Sequence, residues 1–92
     1  MIIKKKDFKI GVIGLGYVGL PLALSFGKKF NVIGYDTNSR RIDDLKKNID
    51  SNKETKRSYF LQSKNISFSD NDTELKNCNI FIVTVPTPIN YK

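Results

Sequence analysis

The segment that most constrains this chain is KIGVIGLGYVGLPLA, residues 9–23, in which four glycines fall within nine residues between two apolar runs. Ile10 to Ile13 is a short apolar run that stops at a glycine, the pattern of a strand buried on both faces. From about Tyr17 to Lys29, Val18, Leu22, Ala23, Phe26 and Phe30 approximate helical spacing. Pro21 belongs in the first turn of such a helix, where its missing amide hydrogen costs little. Lys28 and Lys29 suit the far end, where the helix dipole favours cations. A strand that passes through glycines directly into a helix is the beginning of a β-α-β unit.

The remaining pattern repeats that unit. Asn31 to Tyr35 (NVIGY) predicts a second buried strand, followed at once by Asp36. Asn38 or Ser39 can cap a helix running to about Asn48, with Ile42, Leu45 and Ile49 on its inner face. A polar stretch follows, with a short helix expected over Lys56 to Gln62 that turns Tyr59, Phe60 and Leu61 partly inward. Ile66 to Phe68 is a candidate third strand. Ser69 to Asn77 reads as a helical connector, with Asp70 or Asp72 as its cap. Asn79 to Val85 (NIFIVTV) is the clearest strand, rich in β-branched residues, and Pro86-Thr87-Pro88 ends it. Strands this apolar, alternating with helices, imply a parallel α/β sheet with right-handed crossovers. The expected strand order is 3-2-1-4.

With 92 residues there is room for one small domain. The net charge of +7 raises the question of nucleic acid. The basic residues, however, are dispersed: Lys4 to Lys6 near the start, Lys28-Lys29, Arg40-Arg41 and Lys46-Lys47 at helix ends, the rest through the polar stretch. They form no aromatic-interleaved stripe, and solvated surface is the reading adopted, with no nucleic-acid partner. The lone cysteine, Cys78, excludes an internal disulfide framework and reads as a small core hydrophobe. The opening MIIKKKDFK has no apolar stretch after its charges, and no run reaches the length of a membrane span. A cytoplasmic protein without a membrane partner is therefore expected. Asp43, Asp44, Asp70 and Asp72 read as solvated or capping, so no metal site is expected.

Gly14-Leu15-Gly16-Tyr17-Val18-Gly19 matches G-x-G-x-x-G. Alone the pattern is weak, but here it follows a strand and opens a helix inside a β-α-β unit, as its mechanism requires. Gly14 allows the tight turn, Gly16 leaves space for a diphosphate to reach the backbone, and Gly19 lets helix and strand pack closely. The diphosphate then lies at the helix N-terminus, where free amides and the dipole favour negative charge. Asp36 ends the second strand, twenty-two residues after Gly14. A carboxylate there accepts hydrogen bonds from ribose hydroxyls and repels a 2′-phosphate, which favours NAD over NADP. The competing readings are a turn without a ligand and an aspartate that only caps a helix. Arg40 and Arg41 are near enough to reach a phosphate, to flank the adenine or to face water. Tyr17 either borders the diphosphate or packs beside the loop. The fold class is then α/β, about half of a doubly wound Rossmann-type sheet with flanking helices.

IGVIGLGYVGLPLA, VIGYDTNSRRIDDLK and IFIVTVPTP, in that order, resemble the N-terminus of the UDP-glucose/GDP-mannose dehydrogenases. The DSNKET stretch at 50–55 and the ending VPTPIN are similar to one branch, the bacterial UDP-N-acetylhexosamine 6-dehydrogenases of surface-polysaccharide synthesis, including the Vi-antigen type. The resemblance implies oxidation of a nucleotide-sugar C6 alcohol to a carboxylate in two NAD-dependent steps, through a cysteine-bound thiohemiacetal and thioester. It implies that Gly14, Gly16, Tyr17, Val18 and Gly19 hold the pyrophosphate, that Asp36 holds the adenosine ribose, and that Arg41 lies beside the adenosine end. Thr84, Pro86 and Thr87 are implied to border the nicotinamide half.

The family's nucleophilic cysteine belongs to a later part of the sequence, and Cys78 does not occupy its position, so no catalytic residue is assigned here. Residues 1–92 are expected to be the N-terminal portion of a dinucleotide-binding domain, without the catalytic and sugar-binding domains. The alternative is a free-standing, non-catalytic nucleotide-binding module. An apolar fourth strand left at the sheet edge further leads us to expect an oligomer of identical chains, paired through that strand.

Overall fold

The computed structural model describes residues 7–84. The chain alternates strands and helices: β1 (Lys9–Ile13), α1 (Gly19–Phe26), β2 (Asn31–Tyr35), α2 (Ser39–Lys46), α3 (Arg57–Gln62), β3 (Ile66–Ser69), a 3-10 segment (Asp72–Asn77) and β4 (Ile80–Val83). All three strand pairings are parallel and the order is β3-β2-β1-β4, as the apolar runs and their spacing predict. The register pairs Ile13 with Tyr35 on one side and with Val83 on the other. That alignment brings Gly14, Asp36 and Thr84, the residues just past three neighbouring strands, to one end of the sheet.

The core lies between sheet and helices. Val12, Leu15, Leu20, Ala23, Ile42 and Leu45 are essentially inaccessible. Burying a side chain the size of leucine or isoleucine stabilises the fold by about 1.5–3 kcal/mol. α1 packs on β1 and β2, and α2 on β3. Phe60 of α3 closes the far end against Phe68, with ring centroids 6.3 Å apart.

Four local expectations are corrected. α2 stops at Lys46 rather than Asn48, because Asn48 takes a left-handed conformation (φ 62°) that turns the chain. Ile49 is consequently 47% exposed instead of lying on the inner face. α3 turns only Phe60 inward: neighbours in a helix point about 100° apart, and Tyr59 and Leu61 are left exposed. The 3-10 segment is capped by Asn71, whose side chain accepts from the Thr73 amide, while Asp70 accepts from the Ser39 hydroxyl at 2.7 Å. α1 ends at Phe26, so Lys28 and Lys29 follow it in a turn rather than sitting in its last turn.

β4 is described as far as Val83, and it forms the edge of the described sheet, with Phe81 51% and Val83 61% exposed. The strand expected over Asn79 to Val85 is shorter, since Asn79 and Thr84 both fall outside β4; Val85, Pro86 and Thr87 lie outside the described residues. Among the described residues no helix is long and apolar enough to cross a membrane.

Candidate functional site

The turn after β1 needs its glycines for different reasons. Gly14 has φ 95°, a conformation open to glycine at little cost, and its amide donates to the Tyr35 carbonyl at 2.9 Å. A Cβ on Gly19 would strike the Gly14 carbonyl and the Thr84 hydroxyl. Thr84 stitches this crossing together: its amide donates to Ile13 O at 2.8 Å and its hydroxyl to Gly14 O at 2.6 Å. Gly16 is different. Among the described residues a Cβ there would meet nothing within 4 Å, so none of them requires glycine at that position. The space it leaves faces outward, beside an α1 N-terminus that has no side-chain cap and no acidic residue in its first turn. An uncapped N-terminus with a bare backbone in front of it suits an anion.

Asp36 half-emerges at the end of β2. Its Oδ2 accepts the Leu15 amide and its Oδ1 the Asn38 amide, both at 3.0 Å. An ionised carboxylate has about four acceptor positions, so two stay free for ribose hydroxyls. The helix-cap reading of Asp36 is not what the geometry shows, since Asn38 is the α2 cap and accepts from the Arg41 amide at 3.1 Å. Gly14, Gly16, Asp36, Asn38 and Arg41 line one hollow of about 350 Å³. A second hollow of about 340 Å³, lined by Pro21, Leu24, Lys28 and Tyr59 among others, includes neither the glycine turn nor Asp36. Tyr17 and Val18 stand exposed on the loop, so Tyr17 does not pack beside it.

Arg41 corrects the solvated-surface reading: it is buried, whereas Arg40 is exposed. Its Nε and Nη2 both donate to the Leu15 carbonyl, at 3.0 and 2.7 Å, and its Nη1 donates to Asp50 Oδ1 at 2.6 Å. Asp50 was not singled out from the sequence as a site residue. The signal available was an aspartate followed by Ser51 and Asn52, the composition of a carboxylate-centred turn. Burial alone raises the Asp50 carboxyl, but hydrogen bonds from Arg41 and the Asn52 and Thr55 amides, with the Arg41 charge, outweigh it and leave it below the ordinary 3.8.

Because the folded value is lowered, the contribution of Asp50 to stability is fully present above the ordinary 3.8 of the unfolded chain, and is lost as the pH falls from there through the folded value. In thermal unfolding across pH about 7 to 2, wild type is expected to lose stability more steeply below about pH 4 than Asp50→Asn. Parallel curves would contradict the assignment. Cys78 is half-buried; burial pushes its thiol up, and the charge of Lys9 only partly offsets this. A thiol held protonated is a poor nucleophile.

Of the ten residues the sequence pointed to, the structure brings Gly14, Gly16, Tyr17, Val18, Gly19, Asp36, Arg41 and Thr84 to one end of the sheet. Pro86 and Thr87 lie outside the described residues.

A family model described as the UDP-glucose/GDP-mannose dehydrogenase family, NAD binding domain, matches residues 8–92. The chain is 52% identical over 85 residues to a UDP-N-acetyl-D-glucosamine 6-dehydrogenase of Pseudomonas aeruginosa, and 48% identical over 84 residues to one of Salmonella typhi. These alignments cover 92% and 91% of this chain and 20% of each relative, so the chain spans about a fifth of their length. Among solved structures, the UDP-N-acetyl-mannosamine dehydrogenase Cap5O from Staphylococcus aureus superposes with a TM-score of 0.76 at 32% identity, covering 91% of this chain and 21% of that one. A ternary complex of GDP-mannose dehydrogenase from Pseudomonas aeruginosa gives 0.78 at 25% identity, covering 88% and 20%. With its parallel 3-2-1-4 sheet and glycine turn, the chain belongs to the NAD-binding domain of the UDP-glucose/GDP-mannose dehydrogenase family.

Proposed function

We propose that residues 1–92 form the adenosine-binding half of the NAD domain of a nucleotide-sugar 6-dehydrogenase, one that oxidises the C6 alcohol of a UDP-N-acetylhexosamine to a uronic acid. The names of the relatives at 52% and 48% identity support this substrate class. NAD, when bound, accepts hydride from the sugar. The residues of this chain bind and orient: the amides at the start of α1 face the diphosphate, and Asp36 receives the ribose hydroxyls. The chemical step belongs to residues outside this chain. The exposed β4 edge supports the further reading that the chain, as it stands, pairs with a second copy; a one-chain mass by light scattering at high concentration would argue against that.

The observation that carries the nucleotide reading is the space at Gly16, which none of the described residues fills. Its test lies at the other end of the site. Asp36→Ala is expected to weaken NAD binding by about 1–3 kcal/mol, roughly 5- to 150-fold in Kd, through loss of charged hydrogen bonds. Equal affinities of variant and wild type in titration calorimetry would remove Asp36 from the site.

A further inference from the structure

The DSNKET segment at 50–55 has no part in the nucleotide reading, yet its first residue holds a deeply enclosed charge. The Asp50 side chain is 1% exposed and its partner Arg41 9%. The Asp50 carboxylate also accepts the amides of Asn52, Glu54 and Thr55 at 2.9–3.1 Å, so its position is fixed by its own loop. From there it grips the Arg41 Nη1, while Ser51 Oγ accepts from the same nitrogen at 3.2 Å. The other two nitrogens lie on the Leu15 carbonyl. Every nitrogen of the guanidinium is therefore engaged.

Among the described residues lining the hollow beside Asp36, Arg41 is also the one cation. A 2′-phosphate on the adenosine ribose needs a free cation at that place. The local charge is two carboxylates against one guanidinium, which opposes a phosphate. We propose that Asp50 is a specificity-determining residue: it holds and neutralises Arg41 on the glycine-turn carbonyl, so that the cation beside the ribose cannot serve a 2′-phosphate. This rests on the nucleotide reading and adds to it a residue that does not line the hollow.

The test is titration of the isotopically labelled 92-residue chain with NAD and, separately, NADP, two probes that differ only by the 2′-phosphate. The readout is the ratio of their dissociation constants. Asp50→Asn removes the charge while keeping an acceptor for Arg41, and is expected to shift the ratio about tenfold toward NADP through tighter NADP binding. Arg41→Gln leaves Asp50 uncompensated and is expected to shift the ratio the opposite way. It keeps the test open if Asp50→Asn does not fold. Arg40→Gln, at an exposed position that does not line the hollow, is expected to leave the ratio unchanged.

A merely structural role for Asp50 weakens both cofactors equally, and an unchanged ratio in both the Asp50 and Arg41 variants overturns the proposal. If wild type binds neither cofactor, the nucleotide reading itself falls and this proposal with it.

Discussion

Gly19→Ala is expected to remove a large part of the stability of this fold. The added methyl group would be driven into the Gly14 carbonyl and the Thr84 hydroxyl. Neither can retreat cheaply. The Gly14 carbonyl accepts from Thr84 Oγ1, and the same turn is pinned by the Gly14 amide on Tyr35 and the Thr84 amide on Ile13. Moving α1 away instead would open the packing of Leu20, Ala23 and Leu24, all buried against the sheet. A backbone clash of this kind costs about 3 kcal/mol or more. A chain of this size has only about 5–14 kcal/mol in total. Circular dichroism on heating is expected to show a large fall in Tm or no cooperative transition. A Tm within about 2 °C of wild type would show that the turn is looser than its contacts imply.

Gly16→Ala, three residues earlier, is expected to do the opposite. None of the described residues lies within 4 Å of the new Cβ, and Gly16 is not a positive-φ glycine. Alanine should then stabilise the chain by about 0.4–1 kcal/mol by restricting the unfolded state. The same methyl group occupies the space a diphosphate needs to reach the α1 amides, and NAD affinity is expected to fall by at least about tenfold. A gain in stability with a loss of binding separates a ligand-directed glycine from a structural one. If Gly16→Ala is destabilised as Gly19→Ala is, all three turn glycines are architectural.

These contrasts also explain which parts of the molecule were legible in the sequence. Strand order and the glycine turn were readable because each depends on local pattern: apolar runs of strand length, and G-x-G-x-x-G between strand and helix. Asp36 was readable because it directly follows β2. The errors fell where tertiary context decides. Ile49 has the spacing of a buried residue, but the left-handed Asn48 before it turns the chain out. Tyr59 and Leu61 are large side chains with apolar bodies beside Phe60, yet a six-residue helix has one face to bury. Arg41 lines the same hollow as Asp36, but it is held buried by Asp50, nine residues away across a loop. No periodicity in the sequence encodes that pairing.

Whether the turn from Gly14 to Gly19 and Asp36 form one dinucleotide site is decided by an amide-resolved titration of the labelled chain with NAD. Saturable shifts are expected at residues 14–20, 36–41 and Thr84, abolished or strongly weakened in a folded Gly16→Ala. Shifts that survive that substitution, or that map instead to the hollow around Pro21 and Tyr59, would contradict that single site.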